Sequence, residues 1–415
     1  MDLTLAIFFL VYLVMGLGYL PGLRLDRTGA AMVGAMILIA AGRISPPDAW
    51  NAIDFNTIGL LFGLMVISAT FAVAGFYEWV ARRIGALEVG PHALLALLIV
   101  VATVMSSLLT KDIVAVAMTP VFCSICLARR LNPVPFLLGF CFATNIGSAG
   151  MLTGSPQNMI AAELLHLSFT GFMRAAAVPA LLGLPLIWLV LVLFYRGRWH
   201  LADGPQPAPP PAPQPPQAVA LDRIETAKAA VVLSAVIVAF VTTDWPHMLV
   251  ALAGASLLLI SPRVSSNSIL HRLDGNLLLL LFGLFIVNAT FAAAGVPQQL
   301  LESLRGYGLD LHDPLSLLLV MAVLSNIVGN NPAVMLVAPF VAGADQAEAL
   351  GAAIALGTGF SSNAILSGSL AGIIMAEAAQ KRGVAITFKD FAKVGAPLAA
   401  LSLVGAAGWI LVISR

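Results

Sequence analysis

Asp54 to Gly75 reads DFNTIGLLFGLMVISATFAVAG, and 220 residues later Asp274 to Gly295 reads DGNLLLLLFGLFIVNATFAAAG. Thirteen of the 22 positions are identical. Each copy is an apolar run long enough to cross a hydrocarbon core as a helix. Two further pairs follow in the same order. SSLLTKDIVAVAMTP (Ser106 to Pro120) aligns with SNIVGNNPAVMLVAP (Ser325 to Pro339) at a shift of 219, and TNIGSAGMLTGSPQNMIAAE (Thr144 to Glu163) aligns with TGFSSNAILSGSLAGIIMAE (Thr358 to Glu377) at a shift of 214. Three phrases in one order at nearly one offset mark a tandem duplication. The halves are expected at 1–200 and 223–415, joined by a linker at 201–222 whose centre, GPQPAPPPAPQPPQ (Gly204 to Gln217), reads as extended and solvated.

Composition sets the solvent. Of 415 residues 60% are hydrophobic and 10% charged, where a soluble chain carries about 25% charged residues. The expectation is an all-α polytopic membrane protein lying in the lipid bilayer. The first run, Leu3 to Leu20, lacks a basic leader and a small-residue cleavage site, and reads as a retained span. A net charge of +1 gives no footprint for nucleic acid. The three cysteines, within Cys123 to Cys141, suggest no disulfide framework.

Each half reads as three spans, a hairpin-like pair, a Gly/Ser-interrupted span and a final span. The first half places these near 4–20, 28–42, 56–77, 92–127, 134–166 and 172–195. The second places them near 227–242, 246–261, 275–295, 314–345, 349–379 and 392–413. Whether the hairpin re-enters or spans, each half crosses an odd number of times, so the second half is expected to be inverted. Inverted repeats with broken helices are the signature of secondary transporters. Summing Lys and Arg by side puts sixteen with the linker and four, Arg43, Arg174, Arg305 and Arg415, opposite. By the positive-inside rule the linker faces the cytoplasm and both termini face out. The expected architecture is two inverted repeats, each five transmembrane spans plus a re-entrant hairpin, in the plasma (inner) membrane.

Lys111 and Asp112 stand at the turn of the first hairpin, where the second half has Asn330 and Asn331. A charge deep in a bilayer costs several kcal/mol unless paired or hydrated, so such residues usually mark a pathway. The bland alternative is a self-neutralising pair at a helix end near the surface. Asp112 also fits as N-cap of a helix through Ile113 to Cys126. The interrupted spans are the second element. NIGSAGMLTGSPQN gathers Asn145, Thr153, Ser155, Gln157 and Asn158, and Ser155 with Pro156 would cap and restart a helix whose N-terminus points at the break. The partner break, GTGFSSNAILSGS, offers Ser361, Ser362, Asn363, Ser367 and Ser369. Glycine alone would fit close helix packing; the amides and hydroxyls point to ligand contact. Glu163 and Glu377 occupy matching positions and read as solvated, and Cys123 and Cys126 read as small hydrophobes, with a thiol site for a soft metalloid as the rival. No metal cluster or nucleotide loop appears, and none of the six histidines lies in the motifs.

At these residues the chain resembles the ion transporter superfamily of arsenite permeases, NhaD-type sodium/proton antiporters and citrate or dicarboxylate transporters. It looks closest to the arsenite-permease and citrate-transporter-like branch, over essentially its whole length. The resemblance implies two hairpin tips and two unwound loops around the substrate: Thr110, Lys111 and Asp112 with Asn145 to Asn158, and Gly329, Asn330 and Asn331 with Thr358 to Ser369. It also implies elevator-type alternating access and, commonly, a homodimer. The family usually has asparagine where Lys111 stands, and the Ser-Asn-Thr tips of dicarboxylate carriers are absent. An ammonium could take the place of a sodium ion, with Lys111 and Asp112 as coupling partners. The expected function is secondary transport of a small oxyacid or oxyanion, foremost arsenite or antimonite efflux in exchange for protons. Sodium/proton antiport and sodium-coupled citrate or dicarboxylate uptake are the alternatives. A passive channel would need no broken-helix site, and an enzyme would need a convergent nucleophile or metal cluster; no cofactor is expected.

Overall fold

The computed structural model describes residues 3–20, 22–201, 220–294, 306 and 308–414. The proline-rich centre of the linker, the last residue of the Asp274 to Gly295 repeat, and Arg305 and Arg415 lie outside the described residues.

Where the sequence repeats, the helices start on the same devices. Ser45 and Ser265 cap the short helices α3 (Pro46–Asn51) and α13 (Ser266–Leu270), each accepting from the backbone N–H three residues on. Asp54 and Asp274 then cap α4 (Phe55–Val73) and α14 (Gly275–Ala293). A capping side chain satisfies an N–H that would otherwise lack a partner in an apolar medium. The first half continues from α1 (Leu3–Leu17) and α2 (Arg27–Ala40) through α4 to α5 (Phe76–Gly85). Gly75, at φ +73°, turns the chain between α4 and α5, so the span expected to run to 77 ends four residues earlier. Only glycine takes that left-handed conformation at little cost. Then come the hairpin arms α6 (Pro91–Leu108) and α7 (Lys111–Ala128), the interrupted pair α8 (Pro133–Ala149) and α9 (Pro156–Leu164), and α10 (Phe169–Phe194). The second half runs α11 (Arg223–Thr242), α12 (His247–Leu259), α14, hairpin arms α15 (Pro314–Val328) and α16 (Asn330–Val341), interrupted pair α17 (Ala347–Ser361) and α18 (Leu370–Gln380), and α19 (Phe388–Ile413). Each interruption holds a short 3-10 turn, Leu152–Gly154 and Leu366–Gly368.

Among the described residues no strand is formed, and seven helices are long and apolar enough to cross a membrane, with seven shorter apolar helices beside them. Apolar side chains remain exposed along the outer helices, for example Leu181 and Leu182 on α10, Val231 on α11 and Val404 on α19. A surface of that kind is matched to lipid, which is as apolar as leucine. By contrast α8 and α17 are buried along almost their whole length and pack against each other at the centre.

The repeats pack on one another through corresponding residues. A Cβ on Gly63 of α4 would lie 2.6 Å from the backbone carbon of Ala251 in α12, and one on Gly283 of α14 would lie 2.6 Å from that of Ala31 in α2. The shift is 220 residues in both members of the pair. Absence of a side chain at these two glycines lets the helix backbones touch. Likewise α7 packs along α18 while α16 packs along α9, so each hairpin's second arm lies against the other half's restarted helix.

Candidate functional site

This exchange of arms brings both hairpin turns and both breaks into one buried region. In the first half Thr110 precedes α7 as its N-cap, without a side-chain capping bond, and Lys111 and Asp112 form the first turn. Asp112 is therefore not the cap that the sequence suggested, because the helix begins one residue before it. Lys111 is only 3% exposed, and its Nζ has no hydrogen-bond partner among the described residues. Asp112 Oδ1 and Thr110 Oγ1 are likewise buried without partners.

The first break sits beside this turn. Ser155 is the N-cap of α9 and Pro156 its first residue, as expected, but the Ser155 hydroxyl makes no capping bond and is unpartnered. Asn158 Nδ2 donates to the carbonyls of Ser148 (2.7 Å) and Met151 (2.8 Å), tying the new helix to the end of the old one. Its Oδ1 and the Nε2 of Gln157 are left without partners. Thr153 donates to the carbonyl of Ser107 at 2.8 Å, which fixes the 3-10 turn against the hairpin.

The second half pairs most of the corresponding groups with one another, leaving Asn326 Oδ1 and Asn331 Oδ1 without partners among the described residues. Asn330 Nδ2 donates to Ser362 Oγ at 3.0 Å, while Ser362 Oγ reaches the Thr358 carbonyl at 2.6 Å. Ser361 Oγ and Ser325 Oγ are 3.2 Å apart. Asn145 joins the two breaks: its Nδ2 donates to Asn363 Oδ1, and its Oδ1 accepts from Ser369 Oγ, both at 2.9 Å. Asn331 is half-buried with Oδ1 unpartnered, and Ser367 is exposed, away from the buried cluster.

Two residues of the repeated hairpin phrases that were not expected at the site brace it. Ser107 Oγ donates to the carbonyls of Thr103 and Gly147, and Asn326 Nδ2 donates to those of Ala322 and Ser361. Donor and acceptors all correspond between the halves, by the shifts of 219 and 214, so the repeat itself carried the signal. Glu163 is not simply solvated: its Oε1 accepts from His247 Nδ1 at 3.1 Å. Cys123 and Cys126 are buried thiols in the apolar core, alongside Cys141.

A cavity of about 170 Å³ reaches the first half-site. Thr110, Asp112, Pro156 and Leu370 line it at one end, and Arg272, Asp274 and Leu277 at the start of α14 line the other. A buried polar group without a partner costs about 1–3 kcal/mol. Six such atoms, on Thr110, Lys111, Asp112, Ser155, Gln157 and Asn158, gather at one turn and one break. They supply donors and acceptors together, which is the equipment for holding a small hydroxylated or oxygen-bearing ligand.

Residues 10–359 match the family of citrate transporters. The chain is 29% identical to the "46 kDa membrane protein" of Mycobacterium leprae over 92% of each chain. It is 32% identical to the silicon efflux transporter LSI3 of Oryza sativa subsp. japonica over 44% of this chain and 37% of that one. The crystal structure of the Alcanivorax borkumensis YdaH transporter, described as having an unusual topology, superposes with a TM-score of 0.59 at 13% identity, covering 99% of this chain and 97% of that one. At that identity the likeness speaks for the fold.

Proposed function

Because this chain belongs to the citrate transporter family and is a membrane transporter, we propose that it carries a small oxyacid or oxyanion by secondary active transport, foremost arsenite or antimonite outward in exchange for protons. The carrying observation is the cluster of unpartnered polar atoms at the first turn and break. A fully ionised polycarboxylate calls for donors alone. Here Lys111, Thr110, Ser155 and Gln157 can donate while Asp112 and Asn158 Oδ1 accept. That mixture suits an acid that still keeps hydroxyl protons. Similarity to a plant protein named for silicon efflux supports the same class, since silicon too is held in water as a hydroxylated acid.

Lys111 supplies a built-in, titratable charge where the second half has an amide, and Asp112 beside it is a carboxylate that can exchange a proton with the cavity. Coupling is assigned to this pair. The halves 1–200 and 223–415 act as inverted repeats, with the linker cytoplasmic and both termini outside the plasma membrane. The cavity from Asp112 then opens toward the cytoplasm past Arg272 and Asp274. On the opposite side α9 packs directly on α4. These features support an inward-facing stage of an elevator cycle in which the hairpins and breaks move against α2, α4, α12 and α14.

The test is transport in everted vesicles with arsenite, citrate, sulfate and sodium, varying pH and sodium separately. Arsenite accumulation that follows the proton gradient and ignores sodium is expected. Citrate movement with a steep sodium requirement would transfer the assignment to sodium-coupled uptake. For topology, a cysteine placed at Ala212 should react in intact cells only with membrane-permeant reagent.

A further inference from the structure

The bond between Glu163 and His247 has a counterpart position in the other half. His247 is the first residue of α12, and Arg27 is the first residue of α2, 220 positions earlier. Glu163 is the eighth residue of α9, and Glu377 is the eighth residue of α18, 214 positions later. Each half therefore places a basic side chain at the start of one helix and a carboxylate on the restarted helix of its break, and the duplication relates Glu163–His247 to Glu377–Arg27. Only one pair is joined. His247 Nδ1 donates to Glu163 Oε1 at 3.1 Å, with both side chains mostly buried. Arg27 Nε instead donates to the carbonyl of Met15 at 2.8 Å, while Glu377 is exposed and borders cavities of about 470 and 390 Å³.

The surrounding helices differ in the same sense. On the side of the joined pair α9 packs on α4. On the side of the separated pair, a cavity lies between Leu370 and Ile374 of α18 and Leu273, Asp274 and Leu277 at the start of α14. We propose that the two pairs are alternating latches of the transport cycle. Glu163–His247 holds the conformation seen here, and Glu377–Arg27 closes when α18 moves onto α14 and the first pair parts. Neither pair touches the half-sites, so these are positioning residues that set the balance between two conformations. The proposal rests on the alternating-access reading above.

Labelling of mirror positions tests it in the full-length protein. Ile374 lines the cavity now open, and Ile160, its counterpart at a shift of 214, is fully buried. Ile160→Cys should react slowly with an impermeant maleimide from the side opposite the linker, at a rate proportional to the population of the other conformation. Adding Glu163→Ala should raise that rate about tenfold, the lower end of the scale set by loss of one hydrogen bond to a charged group. Adding Glu377→Ala, an exposed substitution that leaves the buried packing alone, should lower it by a similar factor, and the double variant should return toward the starting rate. Unchanged rates in both single variants, with substrate counterflow intact, would overturn the latches and leave alternating access standing. Loss of counterflow in the unmodified protein would overturn alternating access itself.

Discussion

The two half-sites descend from one sequence and occupy corresponding places, yet the first leaves six buried polar atoms without partners where the second leaves two, on Asn326 and Asn331. Around Asn330 the amide, the Ser362 hydroxyl and the Thr358 carbonyl satisfy one another. Around Lys111 the side-chain nitrogen, the Thr110 hydroxyl and one Asp112 oxygen have no partner among the described residues. Duplication supplied the frame twice, and divergence at the turn put the reactive, charged chemistry in one copy. The same divergence runs through the breaks. Asn145 bonds to Asn363 and Ser369, but its counterpart Gly359 has no side chain, and a Cβ there would lie 2.6 Å from that of Ala149. Ser155, the counterpart of Ser369, consequently has nothing to donate to. On the proposed reading, one half-site is a structural joint and the other a receptor.

The largest expected effect breaks this comparison at its centre. Asp112→Asn should abolish proton-driven transport in vesicles while the protein still inserts and folds, because it removes the only acid at either turn. Asn331→Ala in the opposite turn should retain measurable transport. Equal loss in both would mean that the halves share the work. Lys111→Asn makes the two turns alike. If the ammonium stands in for a bound cation, this variant should lose sodium-independent transport and either become sodium-stimulated or fail outright. Wild-type transport that already requires sodium would end that reading.

A second pair of substitutions tests what the halves still share. Gly63→Val and Gly283→Val each push a side chain into the backbone of the facing helix, at Ala251 and Ala31 respectively. Backbone cannot yield as a flexible side chain can, so each should destabilise by about 3 kcal/mol or more. The measurement is thermal unfolding in detergent, and near-equal losses are expected because the contacts correspond atom for atom. A large difference between the two would show that the frame has diverged along with the site.

Much of this frame is legible in the amino-acid sequence. Apolar runs gave the helices, repeated phrases gave the duplication, and Ser155–Pro156 gave the restart of α9 to the residue. Local sequence carries those features because they depend on hydropathy, caps and glycine. What stayed hidden depends on partners distant in the chain. Asn145 and Asn363 are 218 residues apart, and Glu163 and His247 are 84 apart. Asp112 reads as a cap from local sequence, and the start of α7 at Lys111 makes it a first-turn residue instead. Whether a polar side chain is satisfied or left open is likewise a property of the assembled halves, invisible in either motif alone.

The smallest expected effect is the sharpest test of joint against receptor, because it uses one chemical change at two corresponding positions. Ser369 Oγ donates to Asn145 Oδ1 at 2.9 Å in a fully buried setting. Ser369→Ala leaves that amide oxygen without its donor, which costs about 1–3 kcal/mol, and should lower Tm with transport falling only as far as stability does. Ser155→Ala removes a buried hydroxyl that bonds to nothing among the described residues. Its cost in stability should be near zero, or slightly favourable, because an unsatisfied polar group is replaced by a methyl. Transport is the quantity that should move instead. If the hydroxyl is aimed at substrate, Ser155→Ala should raise KM severalfold at unchanged Tm, and Ser155→Thr, which restores the oxygen, should recover part of it. Equal Tm losses at the two serines would place Ser155 in the structural network and withdraw it from the site.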